Sequence, residues 1–525
     1  MSSGPALDVR PPAAQPPPMD AGGWARWLWR QLTSMRTALV LLFLLAVAAI
    51  PGSVFPQRGT DPLAVNAWIE RNPGWGPVLD RLGMFDVYAS PWFAATYLLL
   101  FVSLVGCVLP RARQHWRAVR ARPPAAPRRL SRLPVYRTEV LDLPPGPGAP
   151  AVLSAARVRL RSQRWRLAES PYDATVGSGW VAAEKGYARE TGNLLFHVAL
   201  VALLAAVAYG GLFGWKGNVI VKEGAGFSNT LTQYDAWGGG RFVDPQALAP
   251  FSFTLTDFAV DFERGEAQRG APRMFEATLA VRDEPTDQPR TEVVEVNEPL
   301  VVDGAKVFLV GHGYAPTFVV RDADGRVVFD DAVVFLPQDG NFTSTGVVKV
   351  PDAAPALGLQ GIFLPTAAVD DVRGPHSTFP APDDPAVFLS AWVGDLGLDS
   401  GVPQSIFRLD TTAMEQLGLR ALRPGESWEL PDGAGSVQFT GYGRWASFQI
   451  AHDPGKEAAL AAAALALVGL LLSLFVRRRR VWVRARDDGM GRTLIEVAGL
   501  SRTEAGGLDE EIDELAGALA AVDGD

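Results

Sequence analysis

Apolar residues run unbroken for roughly the 17 to 25 positions that cross a bilayer as helix at four places: residues 37–54, 91–109, 193–212 and 457–476. Between the last two runs the pattern changes in kind. FSFTLTDFAVDF, MFEATLAVRD, TEVVEVNEPLVV, AKVFLVGHGY, TFVVRDADGRVVF and GSVQFTGYGRWASFQI alternate apolar with polar or are rich in β-branched residues. Turn pairs such as Asp303-Gly304 and Asp324-Gly325 punctuate them. Short strands at regular spacing predict a mainly antiparallel, sandwich-like β domain over residues 215–456. Within it, SIFRLDTTAMEQLGL predicts a helix.

The remaining segments are shorter. Residues 1–30 open with a Pro-rich stretch that predicts a disordered tail. Residues 55–90 form a loop with two short helical patterns, AVNAWIERN and GPVLDRLGMFD. Residues 111–191 predict a small α+β subdomain: VYRTEVLDL as a strand, SAARVRLRSQ as a helix, WRLAES and GWVAAEKGYARE as a strand pair. A core that small leans on its neighbours or a partner. In the tail, residues 477–525, the recurrence of Ile512, Leu515, Leu519 and Val522 allows a short amphipathic helix or a solvated acidic end. The first apolar run also fits a cleavable signal peptide, but its continuation into IPGSVFPQR reads as a helix end entering a loop.

Charge orients these segments. Residues 111–191 carry 16 Lys or Arg against 6 Asp or Glu, whereas residues 215–456 carry 18 against 33. Arg10, Arg26, Arg30 and Arg36 precede the first run, and Arg477 to Arg480 follow the fourth. Positive flanks stay cytoplasmic, so both termini and residues 111–191 are expected inside and residues 215–456 outside the cell membrane. The fold class expected is an integral membrane protein: four transmembrane α-helices, a large extracytoplasmic β domain and a small cytoplasmic α+β subdomain. The net charge of -8 sums two opposite faces. The arginines lack the aromatic interleaving or recognition helix of a nucleic-acid surface.

Candidate chemistry is sparse. Cys107 is the single cysteine, which excludes a disulfide scaffold, a CxxC redox site and a Cys-rich zinc module. No P-loop, GxSxG, HExxH or dinucleotide fingerprint occurs. An ionisable group inside a span is costly and marks a functional site; here that group is His197, about 6 Å along the axis from Asn193. The second run has the opposite direction, so Cys107 lies at a similar depth. Imidazole and thiolate are the protein groups that hold haem iron; the bland alternatives are an interfacial hydrogen bond and close packing. His452, five residues before Glu457, stands where the fourth helix begins. His312 between glycines reads as a strand or turn residue, and His376 as a surface residue.

SMRTALVLLFLLAVAAIPGSVFPQR, SLVGCVLPR, EKGYARETGNLLFHVALV, EGAGFSNTLTQYD, VNEPLVVDGAKVFLVGHGYAP and AHDPGKEAAL, in this order and topology, resemble ResB, the large-loop subunit of system II cytochrome c biogenesis, in its actinobacterial form. The resemblance implies a ResC-type partner carrying the tryptophan-rich haem motif absent here, transient binding of haem b, and presentation of haem to apocytochrome c together with thiol-reducing proteins of the pathway. It implies a non-catalytic or co-catalytic subunit of a haem lyase complex, with His197 as the haem-site histidine and Cys107 as a weaker contact. No family role transfers to His452, which is a weak cofactor-binding candidate by its place before the fourth helix, where it could meet a ligand emerging there. A membrane-anchored envelope sensor or scaffold with a β-sandwich binding domain accounts for the same topology, though not for His197.

Overall fold

The computed structural model describes residues 20–59, 62–398, 407–501 and 507–522. Of the tail expected over residues 1–30, residues 1–19 lie outside them. The chain divides into two compact units, one comprising residues up to Val207 and from Lys456 onward, the other Ala208–Gly455.

In the first unit, helix α1 (Ala21–Leu32) is capped by Asp20, whose carboxylate accepts from the Gly23 amide at 2.7 Å. It begins inside the segment assigned to the tail, because the cap and the sequence WARWLWRQL outweigh the Pro-rich composition before it. Trp24, Trp27 and Trp29 stay exposed along it, as on a helix that lies at a lipid interface. Next come α2 (Met35–Val54), the short helices α3 (Pro62–Arg71) and α4 (Gly76–Arg81), and α5 (Pro91–Arg120). Ser90 caps α5 and Pro91 opens it, where a proline costs no hydrogen bond. The apolar run predicts an end at residue 109, yet the helix passes through Pro110 and ten further residues. Pro110 removes one ladder bond, and the helix formers of RARQHWRAVR carry the ladder on.

Helix α6 (Pro145–Ser162) belongs to the α+β subdomain, whereas α7 (Ala188–Phe213) and α8 (Lys456–Phe475) are apolar. Among the described residues α2, α5, α7 and α8 are the helices long and apolar enough to cross a membrane. Small residues let them approach. A Cβ on Gly192 would stand 2.7 Å from the Gly469 carbonyl oxygen, and one on Gly469 would stand 2.5 Å from the Phe196 amide. Ser103 donates to the Leu32 carbonyl at 2.6 Å, and the Tyr97 hydroxyl donates to the Leu204 carbonyl, joining α5 to α7.

The subdomain is larger than residues 111–191 suggest. Its five-stranded antiparallel sheet runs in the order Val135–Leu141, Thr493–Ser501, Arg479–Asp487, Ser178–Lys185, Arg166–Asp173. Two of its three inner strands thus come from the tail. Helices α6 and α9 (Leu508–Ala520) close one face over a core containing Val152, Val181, Val483, Val497 and Ile512. Ile512, Leu515 and Leu519 are buried as their spacing predicts; Val522 follows the helix.

The second unit is a set of antiparallel sheets of seven, five and four strands and a two-stranded pair. Two long strands, Ala305–Arg321 and Ser436–His452, pair along their length. Their one halves, with Val307 and Phe448, share a core with the four-stranded sheet; their other halves, with Phe318 and Phe439, share a second core with the five-stranded sheet. The helix expected in SIFRLDTTAMEQLGL is absent over its described residues. Met414–Leu422 is instead a strand against Ala386–Gly394, since the open edge of that neighbour satisfies its backbone and tertiary pairing overrides a weak local preference.

Candidate functional site

One face of α5 repeats at helical spacing through Leu100, Leu104, Cys107, Arg111 and His115. With residues of α2 and the first half of α7 it lines a cavity of about 620 Å³ in the first unit. That is within the range of small-molecule sites. Leucines from all three helices make its body, while Arg111, His115, Glu190 and Arg478 gather toward the end where α2 and α7 begin.

His197 lies in this wall. Its Nδ1 sits 2.7 Å from the Asn193 carbonyl oxygen one turn back. In the neutral ring only the Nδ1–H tautomer makes that bond, and it leaves the lone pair on Nε2. The same arrangement fixes the tautomer of metal-ligating histidines. The Phe196 ring packs edge-on at 5.2 Å. Cys107 lines the same cavity, so the two residues singled out by depth do share a site. Its thiol, however, donates to the Thr33 carbonyl at 2.7 Å, turned toward the corner between α1 and α2.

His115 completes the set, and the sequence did not single it out. Its Nε2 lies 2.9 Å from Thr191 Oγ1. The threonine hydroxyl donates to the Tyr187 carbonyl at 3.2 Å, which makes it the acceptor from His115 and leaves Nδ1 with the lone pair. The signal was the i, i+8 spacing from Cys107, concealed because an apolar run ending at Pro110 hides the helix beyond it.

Below the cavity, Glu184 is 1% exposed. It is held by Arg478, by Arg480 at 2.9 Å and by the Tyr187 hydroxyl. Burial alone would push its carboxyl up, but these bonds outweigh it and leave it below the usual carboxylate range. Arg478 also pairs with Glu190 and stacks over Tyr187 at 4.6 Å. The base of the site is therefore a locked ionic cluster.

The remaining histidines belong to the second unit. His452 places Nδ1 2.9 Å from the Gly304 carbonyl and stacks beside Trp215 at 6.5 Å, which in turn stacks on Trp237 at 4.9 Å. It lies outside the cavity lining. His376 bonds the Gly374 carbonyl at 3.0 Å. His312 sits among Phe258, Phe275 and Phe342, at 5.1, 5.0 and 4.7 Å. Burial, helped by Arg444, pulls its pKa down to about 4. Among the described residues no three His, Cys, Asp or Glu side chains gather as a bare metal ion requires.

Proteins named cytochrome c biogenesis protein CcsB are similar to this chain. The one from Synechococcus sp. (strain WH7803) is 25% identical over 495 residues, covering 92% of this chain and 96% of its own length. That from Gloeobacter violaceus is 23% identical over 511 residues, 94% of this chain and 92% of its own. In that from Prochlorococcus marinus (strain MIT 9303) 27% identity spans 287 residues, 53% of this chain and 58% of its own. A family model described as ResB-like matches residues 35–513, and the chain belongs to that family.

Proposed function

We propose that the chain is a membrane subunit of the system II cytochrome c maturation complex. In this reading it works with a ResC-type partner to carry haem across the membrane and present it for attachment to apocytochrome c. The observation that carries the reading is His197: an imidazole in a membrane helix, its Nδ1–H committed to Asn193, its Nε2 lone pair available at an apolar cavity. The relatives' shared name, cytochrome c biogenesis protein, supports it.

The chain's own residues do three things here. The leucines of α2, α5 and α7 exclude water from a flat apolar cargo. His197 would hold its iron through one nitrogen, the ligand this chain would supply. The ionic cluster around Glu184 ties the start of α7 to the strand after α8, so the wall of the slot keeps its shape. Cys107 packs the corner between α1 and α2. We place the cavity toward the cytoplasmic face and the second unit outside, from the arginine flanks; the acidic excess of residues 215–456 suits docking of basic cytochromes or thiol-reducing proteins. The locked tautomer of His197 favours this reading over an envelope sensor, which needs no such donor.

The test is genetic. Deleting the gene and staining membrane proteins for covalent haem should show loss of c-type cytochromes, restored by the wild-type gene and not by His197→Ala. Normal staining in the deletion strain would end the proposal.

A further inference from the structure

The cavity holds two cations, and they are not alike. Arg478 is consumed by Glu184 and Glu190. Arg111 makes no ion pair with any carboxylate among the described residues; its guanidinium meets the Met35 thioether at 2.6 Å, and a thioether is a weak acceptor. The rest of this guanidinium, on an exposed residue that lines the apolar slot, meets no carboxylate within ion-pair distance among the described residues. Met35 opens α2, which puts this guanidinium at the polar end of the cavity, beyond the leucines.

His115 marks the same end: its Nε2 is held by Thr191, which precedes His197 by six positions on α7, about 9 Å along the axis between their Cα atoms. The polar end is where a second part of the same ligand would lie.

Resting on the reading of His197 above, we propose that Arg111 recognises a carboxylate at the edge of the porphyrin while His197 meets its centre. The cavity then selects a flat macrocycle that is apolar over its face and acidic at one rim, and it sets which rim enters. A guanidinium fork matches a carboxylate in geometry as well as charge. His115, held by Thr191, stands one turn from Arg111 and lines the same rim.

The experiment compares two probes on the detergent-purified full-length chain: iron protoporphyrin with free propionates, and its dimethyl ester. Binding is read by Soret absorbance. Wild type should bind the diacid about tenfold more tightly than the diester. Arg111→Gln should lose that preference by weakening only the diacid, and Arg111→Lys should keep part of it. Arg113→Gln, on the same helix but outside the cavity lining, should leave it intact. His197→Ala should weaken both probes. An Arg111→Gln protein that still prefers the diacid, or an Arg113→Gln protein that loses the preference equally, would overturn the rim assignment while leaving His197 standing. Wild type binding neither probe would overturn the reading of the cavity and this inference with it.

Discussion

His197 was legible because it is the one ionisable side chain well inside an apolar run, and such a residue stands out against its surroundings. Its tautomer was not legible: that depends on a carbonyl one turn away. Cys107 was legible as a position but not as a bond, since Thr33, 74 residues earlier, receives its proton. Replacing Cys107 with Ser keeps a donor for that carbonyl, so Cys107→Ser is expected to retain at least half of the haem content of wild type in the purified complex. Loss comparable to His197→Ala would make the thiol a ligand.

His312 gives the fold a pH dependence through its burial. The unfolded chain takes up a proton below 6.5, whereas the folded chain resists it until about 4. The unfolded state therefore binds more protons between those values, and stability is full above 6.5 and falls as pH drops toward 4. The contribution is on the order of 3 kcal/mol. Urea unfolding of the second unit from pH 7 to pH 4 should show that loss, and His312→Phe should flatten it; an unchanged slope would assign the acid sensitivity elsewhere. Glu184 and Arg478 are coupled more tightly. Removing either leaves a buried charge, so Glu184→Gln and Arg478→Met should each cost about 3 kcal/mol and the double variant clearly less than the sum. Additive costs in a double-mutant cycle would show the pair to be independent.

Among elements, those set by local periodicity read correctly from sequence: the four apolar helices and the strands on either side of Asp303-Gly304. For the tail the sequence left a helix and a solvated end open, and the structure shows the helix, α9, with its Ile512, Leu515 and Leu519 face buried. Elements set by distant partners did not read correctly. Arg477 to Arg480 read as a topology signal and nothing in the sequence marked VWVRARD after them as a strand, yet Val481, Val483 and Ala485 face one core and Trp482 the other. It is an inner strand whose neighbours are 300 residues and a few residues away. Met414–Leu422 failed for the same reason, as pairing with Ala386–Gly394 decides its conformation. Truncation after Phe475 should therefore do more than remove a tail. Without the Arg479–Asp487 and Thr493–Ser501 strands, Val135–Leu141 loses its partner, and limited proteolysis should cut rapidly within residues 121–185. Equal protease resistance in the truncated protein would contradict this sheet. Gly469→Leu should separate α7 from α8 at Phe196, lowering both thermal stability and haem content.

For the molecule as a whole, the sharp division of basic from acidic segments is the basis of the proposed sidedness. Val372, 95% exposed in the second unit, and Met490, 79% exposed in the first, make suitable reporters once Cys107 is replaced by Ser. A cysteine at 372 should react with an impermeant maleimide in intact cells, and one at 490 only after lysis. The opposite pattern would invert the topology and move the cavity to the other face.

The central claim is that a nitrogen donated by α7 holds a porphyrin in the bilayer. Its most direct measurement is the Soret spectrum of the complex purified in detergent with its ResC-type partner, wild type against His197→Ala at equal protein. A strong band in wild type, shifted and reduced several-fold in the variant, is the predicted result. A variant with the same band position and the same haem per protein would contradict the account.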